Sequence, residues 1–234
     1  MELTKNNIAQ ITFMLASIGG FCDTVTFVAG DSIFSAHVTG NFIVFAAQVL
    51  SGSSEGSWIK LVPFPVFVIA VVTGGWLADK MKSRYRILLI QSALLTVGGL
   101  IAIVLPGLHI MEIGDCMYFV VMITVFALGL QNTFGRLFAK ETFGPTTIMT
   151  GNVTQASLDF GNIFRKGIHN DPASWQSLKK LSVTIGGFLA GCFFGAWAGK
   201  TYGLASIGIA GIILLLYYFS GSTAKNEKEA TEKI

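Results

Sequence analysis

Two residues with proton-binding side chains lie in or just after the first long apolar segment of the chain. Asp23 is about fifteen residues into that segment, and His37 precedes the tripeptide Thr39-Gly40-Asn41 by two positions. A carboxylate inside a bilayer is costly, so Asp23 is a candidate for function and must be protonated or paired. An imidazole titrates near neutral pH and suits proton transfer, although a single histidine also fits a structural role.

The tripeptide Thr39-Gly40-Asn41 has a second copy, Thr150-Gly151-Asn152. Threonine and asparagine side chains can cap the unpaired N–H groups at the start of a helix, and glycine allows a tight turn or the close approach of a ligand. Two such helix starts that converge would form one central site for a small polar solute. The alternative interpretation is that both asparagines only cap helix ends and hold the two halves together.

A polar stripe follows the second tripeptide. Asn152, Gln155 and Asp159 are spaced to share one face of a helix. In the first copy Gln48 takes the place of Asp159, so that stripe lacks the charge. Such a face suits the wall of a cavity, and it equally suits the solvation of Asp159 near the end of a helix.

Asn132 takes in the second copy the place that Asp23 has in the first, and Arg136 follows it by one helical turn. The guanidinium of Arg136 can pair with Asp23 or Asp159. It can equally mark the cytoplasmic end of its segment by reaching out to the membrane surface. Both roles for Arg136 are open from the sequence.

The segments that position these residues are too apolar for an ordinary soluble domain. Of 234 residues, 52% are hydrophobic and only 12% are charged, whereas about 25% are charged in typical soluble domains. The net charge of +3 comes from basic residues between apolar runs, where they set membrane orientation and do not indicate nucleic-acid binding. Six segments have the roughly 17 to 25 residues that a bilayer-crossing helix needs: 8–29, 61–79, 86–106, 117–138, 181–199 and 203–220.

The chain reads as a duplicated unit. Gly20 to Thr24 matches Gly129 to Thr133, and Gly74-Gly75-Trp76 matches Gly195-Ala196-Trp197, in the same order as the tripeptides. The copies are residues 1–110 and 111–222. A polar tail, 223–234, is expected on the cytoplasmic side.

Two shorter segments, 35–50 and 146–164, each carry one tripeptide. The stretch from Thr39 to Leu50 makes only about 18 Å of helix, against about 30 Å of hydrocarbon. If both segments dip in and return, all but Lys60 and Lys200 of the 16 Lys and Arg residues lie on the cytoplasmic side, as do both termini. The predicted fold is an all-α polytopic membrane protein of two inverted repeats, each with three transmembrane helices plus one re-entrant half-helix. Eight plain spans in parallel repeats are the alternative.

Small residues at every fourth position predict how the third helix of each unit packs. They form a face on which a neighbouring backbone can approach closely. In the second copy this face is Gly187, Gly191, Gly195 and Gly199, and the first copy keeps Ala70, Gly74 and Ala78 in register.

At these motifs the chain resembles the YoaK family, small multi-spanning bacterial inner-membrane proteins described as a domain of unknown function. The resemblance covers about residues 8–220 and implies a bacterial cell-membrane location, with no known substrate. The motifs that carry it are Gly20-Phe21-Cys22-Asp23-Thr24, the stretch Phe34 to Asn41, the stretch Gly129 to Arg136, and the stretch Thr146 to Asp159.

The residues favour a small-solute membrane transporter or channel, with its site at the paired tripeptides and proton coupling through Asp23. The alternative is a membrane assembly or sensor protein in which the polar ends are structural. No metal-ligand spacing, nucleophile elbow or phosphate loop occurs, so neither an enzyme nor a cofactor is predicted. The expected partners are the lipid bilayer and an unknown small solute, with a homo-oligomer also open. The three cysteines are expected to serve packing, since they lie in or beside apolar segments.

Overall fold

The computed structural model describes residues 5–52, 56–81 and 83–219, so the predicted tail lies outside the described residues. Of the residues in these ranges, 81% are helical and none lies in a strand. The all-helical class is therefore confirmed. Eight α-helices follow one another: α1 Lys5–Ala29, α2 Gly40–Leu50, α3 Pro63–Lys80, α4 Arg86–Gly107, α5 Ile113–Leu137, α6 Met149–Lys166, α7 Pro172–Tyr202 and α8 Ile207–Phe219.

Several stretches are long and apolar enough to cross a bilayer, which indicates a multi-pass membrane protein. The last stretch is 48 residues long and contains two of the predicted spans. A 3-10 turn, Gly203–Ser206, divides it into α7 and α8, and Gly203 has a φ of +60° there. Such a φ suits glycine because other residues meet steric strain. The candidate spans are Asn7–Ala29, Ser57–Lys80, Arg86–Gly107, Ile113–Leu137 and Pro172–Phe219.

The glycine face of α7 packs against α1. A Cβ atom built on Gly191 would lie 2.0 Å from the carbonyl oxygen of Ser17, and one on Gly195 would lie 2.5 Å from that of Phe21. Gly187 approaches Phe13 in the same way, so successive turns of α7 meet successive turns of α1 and the two helices run parallel. The hydroxyl of Ser17 adds a 2.9 Å hydrogen bond to the carbonyl of Gly187.

The matching face of α3 packs against α5. A Cβ on Gly129 would lie 2.5 Å from the side chain of Ala70, and one on Gly74 would lie 2.8 Å from the hydroxyl of Thr133. These helices also run parallel. The first helix of each copy therefore packs on the third helix of the other copy, which ties the two copies together.

The fourth helices cross at small residues. A Cβ on Gly99 would lie 2.3 Å from the backbone nitrogen of Gly208, and one on Gly211 would lie 2.4 Å from that of Thr96. The residue order along α4 is opposite to that along α8, so they run antiparallel. Leu15, Leu95, Val120 and Leu128 belong to the buried core between these helices.

The first helices of the two copies also run in opposite directions. The side-chain amide of Gln131 on α5 donates to the carbonyl of Leu15 near the start of α1. At the other end of α1, Gly30 lies against the side chain of Val121. The start of α1 is thus beside the end of α5.

Both short helices lie at the edge of the bundle. α2 packs on the 3-10 turn Ser57–Leu61, and the ring of Phe42 lies 5.4 Å from that of Phe64. α6 packs on α7, and no packed interface joins α2 and α6 in the described part of the chain. The loops before these helices both reach α1, one at Asp23 through Ala36 and the other at Gly19 through Thr147.

Candidate functional site

Asp23 and His37 form a pair where the loop after α1 folds back along that helix. Asp23 lies six residues before the end of α1, which is about 9 Å of helix. Its Oδ2 atom is 2.6 Å from His37 Nδ1. Its Oδ1 atom accepts the backbone N–H groups of Ala36 at 2.6 Å and His37 at 3.3 Å. Asp23 is only 4% exposed, so the carboxylate is buried and both of its oxygens have hydrogen-bond partners.

The imidazole of His37 connects the buried carboxylate to the outside of the bundle. Its side chain is 39% exposed, whereas that of Asp23 is 6% exposed. Its ring also lies 5.6 Å from the ring of Phe188 on α7. The pair can hold one proton between Nδ1 and Oδ2, and His37 is the member that a proton from outside the pair reaches first. The sequence proposed these two residues separately, and the structure brings them together.

Asn41 fixes the same loop. Its Oδ1 atom accepts the N–H of Phe34 at 2.8 Å, and its Nδ2 atom donates to the carbonyl of Phe34 at 2.8 Å. The predicted capping role is wrong, because Thr39 precedes α2 with no side-chain cap hydrogen bond in the described structure. The side-chain amide of Asn41 binds the backbone of Phe34 in the loop instead. Gly40 permits the close approach of this loop, since a Cβ there would lie 3.1 Å from the ring of Phe34.

Asn152 makes a weaker form of the same contact. Its Nδ2 atom donates to the carbonyl of Pro145 at 3.0 Å. Phe34 and Pro145 each lie seven positions before their asparagine. Proline has no N–H group, so the second bond that Asn41 makes is impossible here. Ile148 precedes α6 and makes no side-chain cap hydrogen bond in the described chain either.

The members of the polar stripe on α6 differ in exposure. Asn152 and Asp159 are buried, whereas Gln155 is exposed and donates to Asp159 Oδ1 at 2.9 Å. A contact between residues four positions apart fits the single helix face that was predicted for them. The other oxygen of Asp159 is buried and has no hydrogen-bond partner among the described residues.

The other predicted residues point elsewhere. Asn132 donates only to Leu128 of its own helix, at 3.4 Å. Arg136 is exposed in the last turn of α5 and forms no ion pair with Asp23 or Asp159 in the part of the chain described. Thr150 and Gly151 are exposed on α6.

A buried amide pair was missed by sequence reasoning. The Nε2 atom of Gln91 on α4 donates to Gln131 Oε1 at 2.7 Å, and Gln131 Nε2 donates to Thr146 Oγ1 at 2.9 Å. Gln91 Oε1 and Thr147 Oγ1 are buried near this cluster with no hydrogen-bond partner among the described residues. Gln131 is six residues before the end of α5, about 9 Å of helix, which matches the depth of Asp23 from the other end. Two glutamines inside predicted spans were the available signal.

These distances describe two polar sites, one beside the loop that precedes α2 and one beside the loop that precedes α6. The chain matches the family described as "Protein of unknown function (DUF1275)" over residues 11–220. It belongs to the DUF1275 family. No curated protein and no solved structure matches the chain.

The DUF1275 match includes both loops and both asparagines. DUF1275 is the family of YoaK-like proteins, so the resemblance is confirmed at the level of the family. The match brings no function with it. The chemistry must be argued from the side chains of this DUF1275 protein alone.

The DUF1275 chain also has an apolar cavity of about 280 Å³ between α1, α7 and α8. None of the predicted site residues lines it. Its walls come from Met14, Ser17, Ile18, Phe21, Gly191, Phe194, Trp197, Ala198, Ile209, Ala210 and Ile213.

Proposed function

We propose that this protein is a proton-linked transporter or channel for a small solute in the bacterial inner membrane. Its two copies are inverted relative to each other, and each contributes three spans and one re-entrant half-helix. The Asp23–His37 pair is the protonatable element. The observation that carries the proposal is the 2.6 Å contact between a buried intramembrane carboxylate and a partly exposed imidazole.

Helix directions support the inversion. α1 is antiparallel to α5, and α4 is antiparallel to α8, as Gln131 with Leu15 and Gly99 with Gly208 indicate. α3 runs parallel to α5 while α7 runs parallel to α1. The three long helices of the first copy, α1, α3 and α4, are therefore opposed in direction to their counterparts α5, α7 and α8. Transporters built on inverted repeats place their sites where broken helices meet the bundle.

A contact between the segments that precede and follow α2 supports re-entry. Asp31, just after α1, forms an ion pair with Lys60, just before α3. The end of α1 and the start of α3 therefore share one end of the bundle. Between them the loop reaches Asp23, about 9 Å along α1, and α2 has only 11 residues in which to return.

Burial gives the Asp23–His37 pair its chemistry. A lone carboxylate would be expensive in this place, but the imidazole and two N–H groups compensate it. Uptake of one proton by the imidazole of His37 changes the net charge of the pair from negative to neutral, and release of that proton restores the negative charge. Phe188 of α7 contacts the ring of His37, so α7 can respond to a change of charge at the loop.

The polar interior near α6 supports a path for a solute. Unpaired buried polar atoms cost about 1–3 kcal/mol each, and Gln91 Oε1 and Thr147 Oγ1 are two of them. A water molecule or a hydrogen-bonding solute at these atoms removes that cost. No charged side chain contacts the two glutamines among the described hydrogen bonds, so this end of the path favours neutral solutes.

The test is an unbiased metabolite comparison between cells that lack the protein and cells that overproduce it. Wild-type protein should change the level of at least one small solute, and D23N should lose that effect at normal abundance. The amide is nearly isosteric and keeps the two N–H contacts, so the fold should survive. D115N is the matched control, because Asp115 is exposed in the first turn of α5. Full activity of D23N would refute proton coupling.

A membrane assembly or sensor role is the second candidate, and the geometry of Asn41 favours it. Both polar atoms of that amide are used on the backbone of Phe34, which leaves little for a ligand. If the protein is such a scaffold, D23N should leave its function unchanged. N152A would then act only by lowering the folded yield.

A further inference from the structure

An ion-pair cluster closes one end of the bundle. Lys60 is completely buried, and its ammonium contacts the carboxylate and the backbone carbonyl of Asp31. The hydroxyl of Tyr118 on α5 donates to the same carboxylate at 2.9 Å. Asp31, Lys60 and Tyr118, here named the outer lock, join the loop after α1, the turn before α3 and the first part of α5.

A cluster of the same chemistry closes the opposite end. Arg84 lies 2.7 Å from Glu141 Oε1, and the hydroxyl of Tyr85 donates to Glu141 Oε2. Burial, and then the bond to Glu141, raises the pKa of Tyr85, so this phenol stays a donor at physiological pH. Glu141, Arg84 and Tyr85, here named the inner lock, join the loop after α5 to the start of α4.

The two locks sit at matching places in the two copies. Asp31 and Glu141 follow the first helix of their copies and precede the tripeptides by eight and nine residues. Their partners do not match, because Tyr118 is inside α5 whereas Tyr85 precedes α4. Each end therefore has one carboxylate, one cation and one tyrosine hydroxyl, assembled from unrelated positions. Duplication alone explains the carboxylates but not the convergence of their partners.

We propose that the outer lock and the inner lock are the two gates of the solute path. This inference rests on the proposed function, since the gates control access to the Asp23–His37 pair from one side and to the Gln91–Gln131 pair from the other. The ion pairs of both locks are formed in the structure. Each lock holds the loop that leads into its own half-helix.

Ion pairs suit this task because separation exposes each charge to water. The Coulomb attraction that is lost on opening is offset by hydration, so the open and closed states differ little in free energy. An apolar plug of the same size would lose burial on opening with no such offset. Breaking a lock by removing one partner should therefore favour the open state of that gate alone.

Thiol accessibility from each side tests the gates without knowledge of the solute. In a cysteine-free background, A36C reports on the outer loop beside Asp23, and T147C reports on the inner loop beside Gln131. Each is treated with a membrane-impermeant maleimide, in right-side-out and in inverted vesicles. D31N should raise the outside labelling rate of A36C about tenfold, which corresponds to about 1.4 kcal/mol in the gate equilibrium, and leave T147C unchanged. E141Q should do the reverse.

Rescue and milder variants guard against simple misfolding. The exchanged pair D31K/K60D should return A36C to its protected rate if the ion pair is the gate. Y118F and Y85F remove one hydrogen bond each and should give smaller increases on the same side as D31N and E141Q. Folded yield by size-exclusion chromatography is measured for every variant.

The outcomes separate the gates from the transport proposal. Unchanged labelling in D31N and E141Q, or equal increases at both reporters in either variant, would overturn the gate assignment, even if D23N abolishes function. One-sided increases support the gates, and they do so even if D23N remains active and proton coupling is refuted.

Discussion

The loop after α1 and the loop after α5 perform the same turn with different numbers of hydrogen bonds. In the first, Asn41 holds Phe34 by two bonds. In the second, Asn152 holds Pro145 by one. The tripeptide and the seven-residue spacing are common to both, so the difference comes from one residue that lacks a donor.

The residue that anchors each loop to its helix differs as well. Asp23 binds Ala36 and His37 in the first loop, whereas its counterpart Asn132 turns back to its own helix. Gln131, one position earlier, binds Thr146 instead. The two loops are held at matching places but by different chemical groups. At these two anchors, a carboxylate holds the first loop, whereas amide and hydroxyl groups hold the second.

The largest effect is expected at the contact that joins the copies. α7 has Gly191 where α3 has Ala70, because α7 approaches α1 more closely than a methyl group allows. G191L should abolish most of the folded protein, since the side chain would displace the backbone of Ser17 and overpacking alone costs about 1–3 kcal/mol. G186L on the same helix is the control, because a Cβ there meets nothing within 4 Å. Wild-type yield and melting temperature for G191L would remove this face from the interface.

The next largest effect is expected in the stability difference between variants of Asp23 and of its counterpart Asn132. D23A leaves the N–H groups of Ala36 and His37 without their acceptor, at about 1–3 kcal/mol for each buried group. N132A removes only a long bond within α5 and should change stability by less than about 0.5 kcal/mol. The melting temperature in detergent measures both. Similar losses in the two variants would mean that Asp23 does not anchor the loop.

The two asparagines sharpen the comparison further. N41A removes two hydrogen bonds and N152A removes one, at about 0.5–1.5 kcal/mol each. N41A should therefore lower the melting temperature about twice as much as N152A. Equal shifts would show that the second bond to Phe34 contributes nothing.

The smallest effect should come from giving the second loop the donor that it lacks. P145A introduces an N–H group opposite Asn152 Oδ1, and N152A should then cost more in the P145A background than in the wild type. The stability gained from this new hydrogen bond is limited to about 1 kcal/mol. P145A also lowers stability in the opposite direction, because alanine does not restrict the unfolded chain as proline does. A double-mutant cycle of P145A and N152A measures the contribution of the hydrogen bond, and a coupling energy of zero would contradict the hydrogen-bond account.

The features predictable from the sequence were those that repeat at a fixed spacing. The glycine face of α7 is an example, because close helix approach requires small residues at every fourth position. The bounds of α4 and α5 followed from apolar length in the same way. The need of Asp23 for a partner was predictable from its burial, but the partner was not, since the sequence offered Arg136 and the structure places His37 there.

Contacts that depend on how a loop folds back were not predictable. Asn41 was expected to cap α2, yet it lies inside the helix and binds a residue seven positions earlier. Gln91 and Gln131 meet only because α4 and α5 pack antiparallel.

Sidedness of the residues that flank the two short helices tests the central claim most directly. Single cysteines at Ser32 and Ser51 flank α2, and single cysteines at Lys140 and Asn170 flank α6, in a background without Cys22, Cys116 and Cys192. An impermeant maleimide should label both α2 reporters from the outside of the cell and both α6 reporters only from the inside. That result is the one expected of two half-helices that re-enter from opposite faces of the membrane. Labelling of either pair from opposite sides would show that the short helix between them spans the bilayer, and the inverted architecture would be wrong.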